Sequence, residues 1–157
     1  MSLLEWILIV QFAATSYLVG VIWLVQLVHY PMMAELDPSC AGESCRRHAS
    51  RITPVVGVPM LIEAVCALLL ILPGICAARG SLLAWFGFLT VGLLWLITFF
   101  VQVPQHARLA RQAGVVDREA VSHLVKWNWL RTALWTLRLG LAAAMLCSAF
   151  PGIVRPG

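Results

Sequence analysis

Four long apolar runs, Leu3 to Val28, Ile52 to Leu72, Leu82 to Val103 and Trp129 to Phe150, constrain this chain more than any other feature. Each is long enough to cross a hydrocarbon core as a helix, which takes about 20 residues. Strands are a poor alternative, because the runs are apolar on every face and far exceed the length of a buried strand. With 61% of its 157 residues hydrophobic and 11% charged, the chain has little left for a water-soluble domain. The expected fold is an all-α integral membrane protein: one domain, 1-157, forming an antiparallel four-transmembrane-helix bundle with helices at about 3-29, 52-72, 82-103 and 127-150. The first run is read as a retained helix. Its start, Met1 to Glu5, has no basic residue, and the run outlasts the apolar core of a signal peptide.

A net charge of +4 invites a nucleic-acid reading until the basic residues are mapped. Arg46, Arg47 and Arg51 fall between the first two runs, and Arg108, Arg111, Arg118, Lys126 and Arg131 fall between or beside the last two. The opposite side has Arg79 and Arg155. The positive-inside rule then puts the long loops 31-50 and 105-126 in the cytoplasm and both termini outside, as in a bacterial-type inner membrane. The partners expected are the lipid bilayer, a small amphipathic or aromatic ligand, and a second copy or a larger membrane complex, with no nucleic acid. Cys40 and Cys45 lie on the reducing side, where a structural disulfide is not expected, and their C-x4-C spacing is a poor zinc signature.

Prolines punctuate the runs: Pro31, Pro54, Pro73 and Pro104 all fall at expected boundaries, and Pro59, two residues after Gly57, predicts a kink. The two halves resemble each other. Trp23, Gln26 and His29 lead through one polar stretch to His48, Arg51 and Thr53; Trp95, Gln102 and His106 lead through another to His123, Asn128, Arg131 and Thr132. Two duplicated hairpins would be parallel repeats about an axis along the membrane normal, and coincidence of interfacial residue types is the alternative.

All four histidines, His29, His48, His106 and His123, fall toward one end of the helices. Imidazoles from several helices can converge on haem or a transition metal, with Glu35, Asp37 and Glu43 nearby for a hard ion. The plainer alternative is that histidine favours the interface, and no H-x-x-x-H cluster occurs on one helix. On the last helix Asn128, Arg131, Trp135 and Arg138 share a face. An arginine as deep as Arg138 needs a partner, and Glu63 on the second helix lies at a comparable depth. A contact between the two is expected, either as a clamp or as the floor of a polar cavity with Arg131 nearer the mouth. Gln26, Trp23, Ser16 and Tyr30 on the first helix, Trp95, Thr98, Gln102 and either Gln105 or His106 on the third, and Arg51 on the second would line or flank that cavity. Trp6, Trp85, Trp127 and Trp129 suit aromatic belts.

The W-N-W-L-R-T run, Trp127 to Thr132, opens the last helix and resembles the closing motif of the small anthrone-oxygenase-like membrane proteins. The resemblance covers one helix start, carrying over Trp127, Asn128 and Arg131. It implies four helices and oxygenase chemistry on polycyclic aromatic substrates.

Three functional readings result. The first is a membrane-embedded redox protein or oxidoreductase: His29, His106 and Glu63 are catalytic, His29, His48, His106 and His123 hold haem or a metal, and Gln26, Arg51, Trp95, Gln102, Asn128, Arg131, Trp135 and Arg138 bind ligand. The second is a non-enzymatic binder or carrier of a small amphipathic molecule or ion. The third is an accessory subunit of a larger complex.

Overall fold

The computed structural model describes residues 1–35, 38–72, 82–111 and 118–150; the side chains of Ala34, residues 38–42, Arg118 and Ala120 are also outside the description. All regular structure among these residues is helical, with no strand. We name four helical rods. α1 runs Leu3–Leu24 and continues through a π-helical turn, Val25–His29, into Tyr30–Ala34; α2 is Pro38–Leu69. α3 runs Leu82–Ile97 and continues through a second π-helical turn, Thr98–Gln102, into Val103–Arg111; α4 is Arg118–Ala149. Each contains a stretch long and apolar enough to cross a membrane: Leu3–Met33, Glu43–Leu69, Leu82–Arg111 and Val121–Ala149.

α1 starts on a capping box. The Ser2 hydroxyl accepts from the Glu5 N–H at 3.3 Å, and the Glu5 carboxylate accepts from the Ser2 N–H at 2.9 Å, so two otherwise orphaned donors are satisfied. Hydroxyls inside the rods are satisfied locally, since Thr98, Thr132 and Thr136 each donate to the carbonyl four residues back.

The rods are longer than the prolines suggested. Much of 31-50 and 105-126, expected as loops, is helical: 38–50, 105–111 and 118–126 all lie within rods. Two of the prolines show why. Pro31 and Pro104 each follow a π-helical turn by two residues. A proline ring collides with the carbonyl four residues back and leaves it without a donor; the wider turn makes room for the ring, so the helix bends its geometry without stopping. Pro54 and Pro59 sit inside α2, which continues through both.

α1 packs against α2 and α4, and α3 packs against the same two, so the rods form a closed ring in chain order. Three buried layers give the direction of each rod. At one end Val25, Tyr30, Met33, Cys45, Leu109, Val121 and Leu124 cluster; in the middle lie Leu18, Ile22, Met60, Leu94 and Trp135; at the other end lie Ile7, Leu8, Cys66, Leu70, Ala84 and Met145. Residue numbers fall along α1 and α3 and rise along α2 and α4 through these layers, so neighbours are antiparallel. Leu61, Val58, Phe86, Leu89, Leu96 and Phe100 point outward and are exposed. Such apolar outer faces suit lipid rather than water.

Candidate functional site

A cavity of about 490 Å³ lies in the end of the bundle that carries the histidines, between the first and middle buried layers. Its walls are mostly aliphatic or aromatic: Leu18, Val21, Ile22 and Val25 from α1, Ile52, Val56 and Met60 from α2, Phe99 and Val103 from α3, and Trp135 from α4. Its polar groups are few: Tyr30, Arg46, His48, Thr53, Trp95, Thr98, Gln102, His106, Asn128 and Arg131. The volume and the sparse polar lining are those of a small-molecule site.

α4 supplies its inward stripe as expected from the spacing: Asn128 and Trp135 are buried, and Arg131 is partly buried between them. Asn128 is the hub of a network. Its Nδ2 donates to Gln26 Oε1 at 2.7 Å, and its Oδ1 accepts from Arg131 Nη1 at 3.1 Å, so Gln26, itself outside the lining, fixes the amide that orients the guanidinium. Among the described residues no carboxylate pairs with Arg131, and its buried Nε–H has no acceptor. Trp95 Nε1 and both ends of the Gln102 carboxamide are likewise buried without a partner. Unsatisfied buried groups cost about 1–3 kcal/mol each, so four of them around one cavity mark it as built for something polar.

Three histidines come together and the fourth does not. His29 and His48 stack with centroids 3.8 Å apart and planes 19° apart; His48 and His106 follow at 6.1 Å and 23°. Rings laid face to face send their nitrogen lone pairs sideways, not toward one point, and among the described residues no three His, Cys, Asp or Glu side chains are disposed to hold a metal ion. His106 Nδ1 lies 2.8 Å from the Gln102 carbonyl and so donates to it, which leaves Nε2 with a free lone pair on a ring that lines the cavity. His29 Nε2 is buried without a partner, and the ring lies behind His48, outside the lining. His123 is engaged elsewhere: Trp127 Nε1 donates to its Nε2 at 3.3 Å and the Gln105 carboxamide lies 2.7 Å from its Nδ1. Both of its ring nitrogens are thus engaged by neighbouring side chains, apart from the other three histidines.

The expected contact between Glu63 and Arg138 is present, with Arg138 Nε donating to Glu63 Oε1 at 2.7 Å and both side chains fully buried. The pair is not the floor of the cavity, because the layer of Leu18, Ile22, Met60, Leu94 and Trp135 lies between them. Thr15 donates to the same Glu63 oxygen at 3.4 Å. Among the described residues, Glu63 Oε2, both Arg138 terminal nitrogens and the Gln11 amide have no partner. Gln11 and Thr15 were missed in the sequence, although an amide inside an apolar run is a readable signal.

Other expected residues are placed differently. Trp23 does not line the cavity: it is on the outside, donates to Thr136 Oγ1 at 3.2 Å and meets Trp129 edge-on. Arg51 is exposed and outside the lining, and Ser16 bonds to its own helix at Phe12. Glu43 is taken by Arg46 and Arg47 on the surface. Asp37, Pro73, Arg79 and Arg155 lie outside the described residues, as does the Cys40 side chain.

The fold and the site together define a class: an all-helical protein with four helices apolar enough for a membrane and a cavity at one end of the bundle. No protein-family model, curated protein or solved structure matches the chain.

Proposed function

We propose that this is an integral membrane binding protein for an amphipathic anion, whose head is held by Arg131 at the polar end of the cavity and whose apolar body lies against the aliphatic walls. The observation that carries the reading is Arg131 itself, a cation inside an apolar bundle with an amide to orient it and no carboxylate among the described residues to balance it. A buried charge is retained at a cost of several kcal/mol unless something pairs with it, and an anionic ligand supplies the pair. Gln102, Trp95 and the free His106 Nε2 give the head further donors and an acceptor. The four helices cross the bilayer with the cavity toward the cytoplasm, by the distribution of Arg46, Arg47, Arg108 and Arg111, and with both termini outside. The parallel-repeat origin of the hairpins is supported by the two π-helical turns, each two residues before a proline and each carrying a buried glutamine, Gln26 or Gln102.

A second reading, an oxidoreductase acting on the bound amphiphile, is favoured by the fixed tautomer of His106, whose free Nε2 can take a proton from a ligand head. Haem or a transition metal would have to draw on His29, His48 and His106, and their stacking does not fit such a group as the rings stand.

Thermal unfolding of the protein in mild detergent tests the binding reading. A long-chain carboxylate should raise the unfolding temperature of the wild type in a saturable way and leave Arg131→Gln unmoved. Equal stabilisation of both would refute Arg131 as the anchor.

A further inference from the structure

We infer that the cavity is loaded sideways, out of the lipid leaflet and through a slit between α2 and α3, so that its ligand is a long-chain amphiphilic anion already dissolved in the membrane rather than a water-borne metabolite. This rests on the reading of Arg131 as the group that holds the anion.

The four walls are unequal. The lining from α1 and α4 has no exposed residue: Leu18, Ile22, Val25, Tyr30, Asn128 and Trp135 are buried, and Val21 and Arg131 are partly buried. The lining from α2 and α3 reaches the outside, with Thr53 exposed, Phe99 55% exposed and Val103 53% exposed. The cavity therefore opens between these two rods. The residues beside the opening, Val55, Val58, Leu96 and Phe100, are exposed and apolar, so what faces the slit along most of its length is a surface suited to lipid chains.

The slit has free space at its middle. Gly57 lines the cavity on α2, and a Cβ built there would meet no heavy atom within 4 Å. Both flanking rods also depart from regular helix at this level, α2 with Pro54 and Pro59 and α3 with the π-helical turn Thr98–Gln102 followed by Pro104. Missing and displaced backbone hydrogen bonds make these the stretches of the two rods that part most easily.

Polarity inside the cavity also runs in one direction. Arg46, His48, His106, Gln102, Tyr30 and Arg131 lie toward the histidine end, while Val56, Met60, Leu18 and Phe99 lie deeper. On α2 the lining extends from Arg46 to Met60, roughly 21 Å at 1.5 Å per residue. A leaflet has the same order, polar heads at the interface above apolar chains. An amphiphile can therefore move from leaflet to cavity without inverting and without exposing its chain to water, which removes the largest barrier to its transfer. A short polar molecule arriving from water would leave the deep aliphatic walls unfilled.

The test uses the full chain in phosphatidylcholine vesicles and a stearate carrying a nitroxide, which quenches tryptophan fluorescence on contact; Trp95 and Trp135 in the lining report on it. Wild type should show a saturable quenching component displaced by unlabelled oleate. Gly57→Phe, which fills the free space in the slit, should slow the onset of that component by about tenfold or more after mixing, because a plug in the entry route acts on the rate of loading. Hexanoate, short and water-soluble, should still stabilise Gly57→Phe in detergent in an Arg131-dependent way. Gly57→Leu is the smaller plug should the phenyl ring prevent folding, and should act in the same direction. Sideways loading is overturned, with the Arg131 reading intact, if hexanoate binding depends on Arg131 while stearate shows no saturable component, or if the Gly57 variants take up stearate as fast as wild type does. Loss of both anions in the Gly57 variants also overturns it, since the plug would then act on the whole cavity. If neither anion responds to Arg131→Gln, the underlying reading fails first.

Discussion

Arg131 and Arg138 project from one face of α4, two turns apart, into surroundings that treat a buried cation in opposite ways. Arg138 meets Glu63 at 2.7 Å in a layer flanked on both sides by apolar residues, and it does not line the cavity. Arg131 meets an asparagine that is itself pinned by Gln26, and its remaining surface faces the cavity. The same residue type is thus paired within the protein in one place and, on the binding function proposed above, a receptor in the other. The difference teaches that depth alone does not identify a ligand-binding arginine. What identifies it is whether the protein has already supplied the counter-charge, because a paired charge has little to gain from a ligand and an unpaired one has much.

The largest effect that can break this comparison lies in the clamp. Arg138→Leu leaves the Glu63 carboxylate buried without its cation, and the variant should lose about 3–5 kcal/mol of stability, read from unfolding in detergent. Adding Glu63→Leu to it should recover most of that loss, since two apolar side chains of similar volume replace a desolvated pair. If the double variant is as unstable as the single one, the pair is more than a clamp.

A smaller effect is expected at Gly87. A Cβ there would lie 2.6 Å from Arg138 Nη1, and the guanidinium cannot swing away without leaving Glu63. Gly87→Ala should therefore cost about 1–3 kcal/mol, while Gly92→Ala, with nothing within 4 Å, should be close to neutral. Equal effects at the two glycines would show that the guanidinium is loosely held.

The smallest effect on folding belongs to Arg131. Arg131→Gln removes an unbalanced charge and one hydrogen bond, two terms of opposite sign, so the ligand-free protein should unfold within about 1 kcal/mol of wild type. A loss as large as that of Arg138→Leu would make both arginines structural.

These contrasts also mark what the sequence could and could not reveal. The four long apolar helices were legible because runs of that length and composition suit a helix that could cross lipid, and the Glu63 contact with Arg138 was legible because a rise of 1.5 Å per residue converts positions into depths. The stripe from Asn128 to Arg138 followed from helical spacing. Three features were not legible. The helices run on past Pro31 and Pro104 because of π-helical turns, which depend on packing that local rules omit. Which histidines meet depends on the rotation of each rod about its axis, and runs that are apolar all round do not encode it; His48 and His123 occupy corresponding places in the two halves of the sequence, yet one stacks on His29 and the other is engaged by Gln105 and Trp127. The apolar layer that parts the cavity from Glu63 is built from Leu18, Met60, Leu94 and Trp135, one from each of the four helices, and only the packing of the helices brings them together.

The account turns on the claim that Arg131, and not Arg138, receives a ligand. The direct measurement is a binding isotherm for a long-chain carboxylate on the purified protein, taken side by side for wild type, Arg131→Gln and the Glu63→Leu, Arg138→Leu double variant. One saturable site is expected in the wild type, weakened by about ten- to a hundredfold in Arg131→Gln, as the loss of a charge-assisted hydrogen bond requires, and retained in the double variant. Undiminished binding by Arg131→Gln, or loss of binding only in the double variant, would contradict the account.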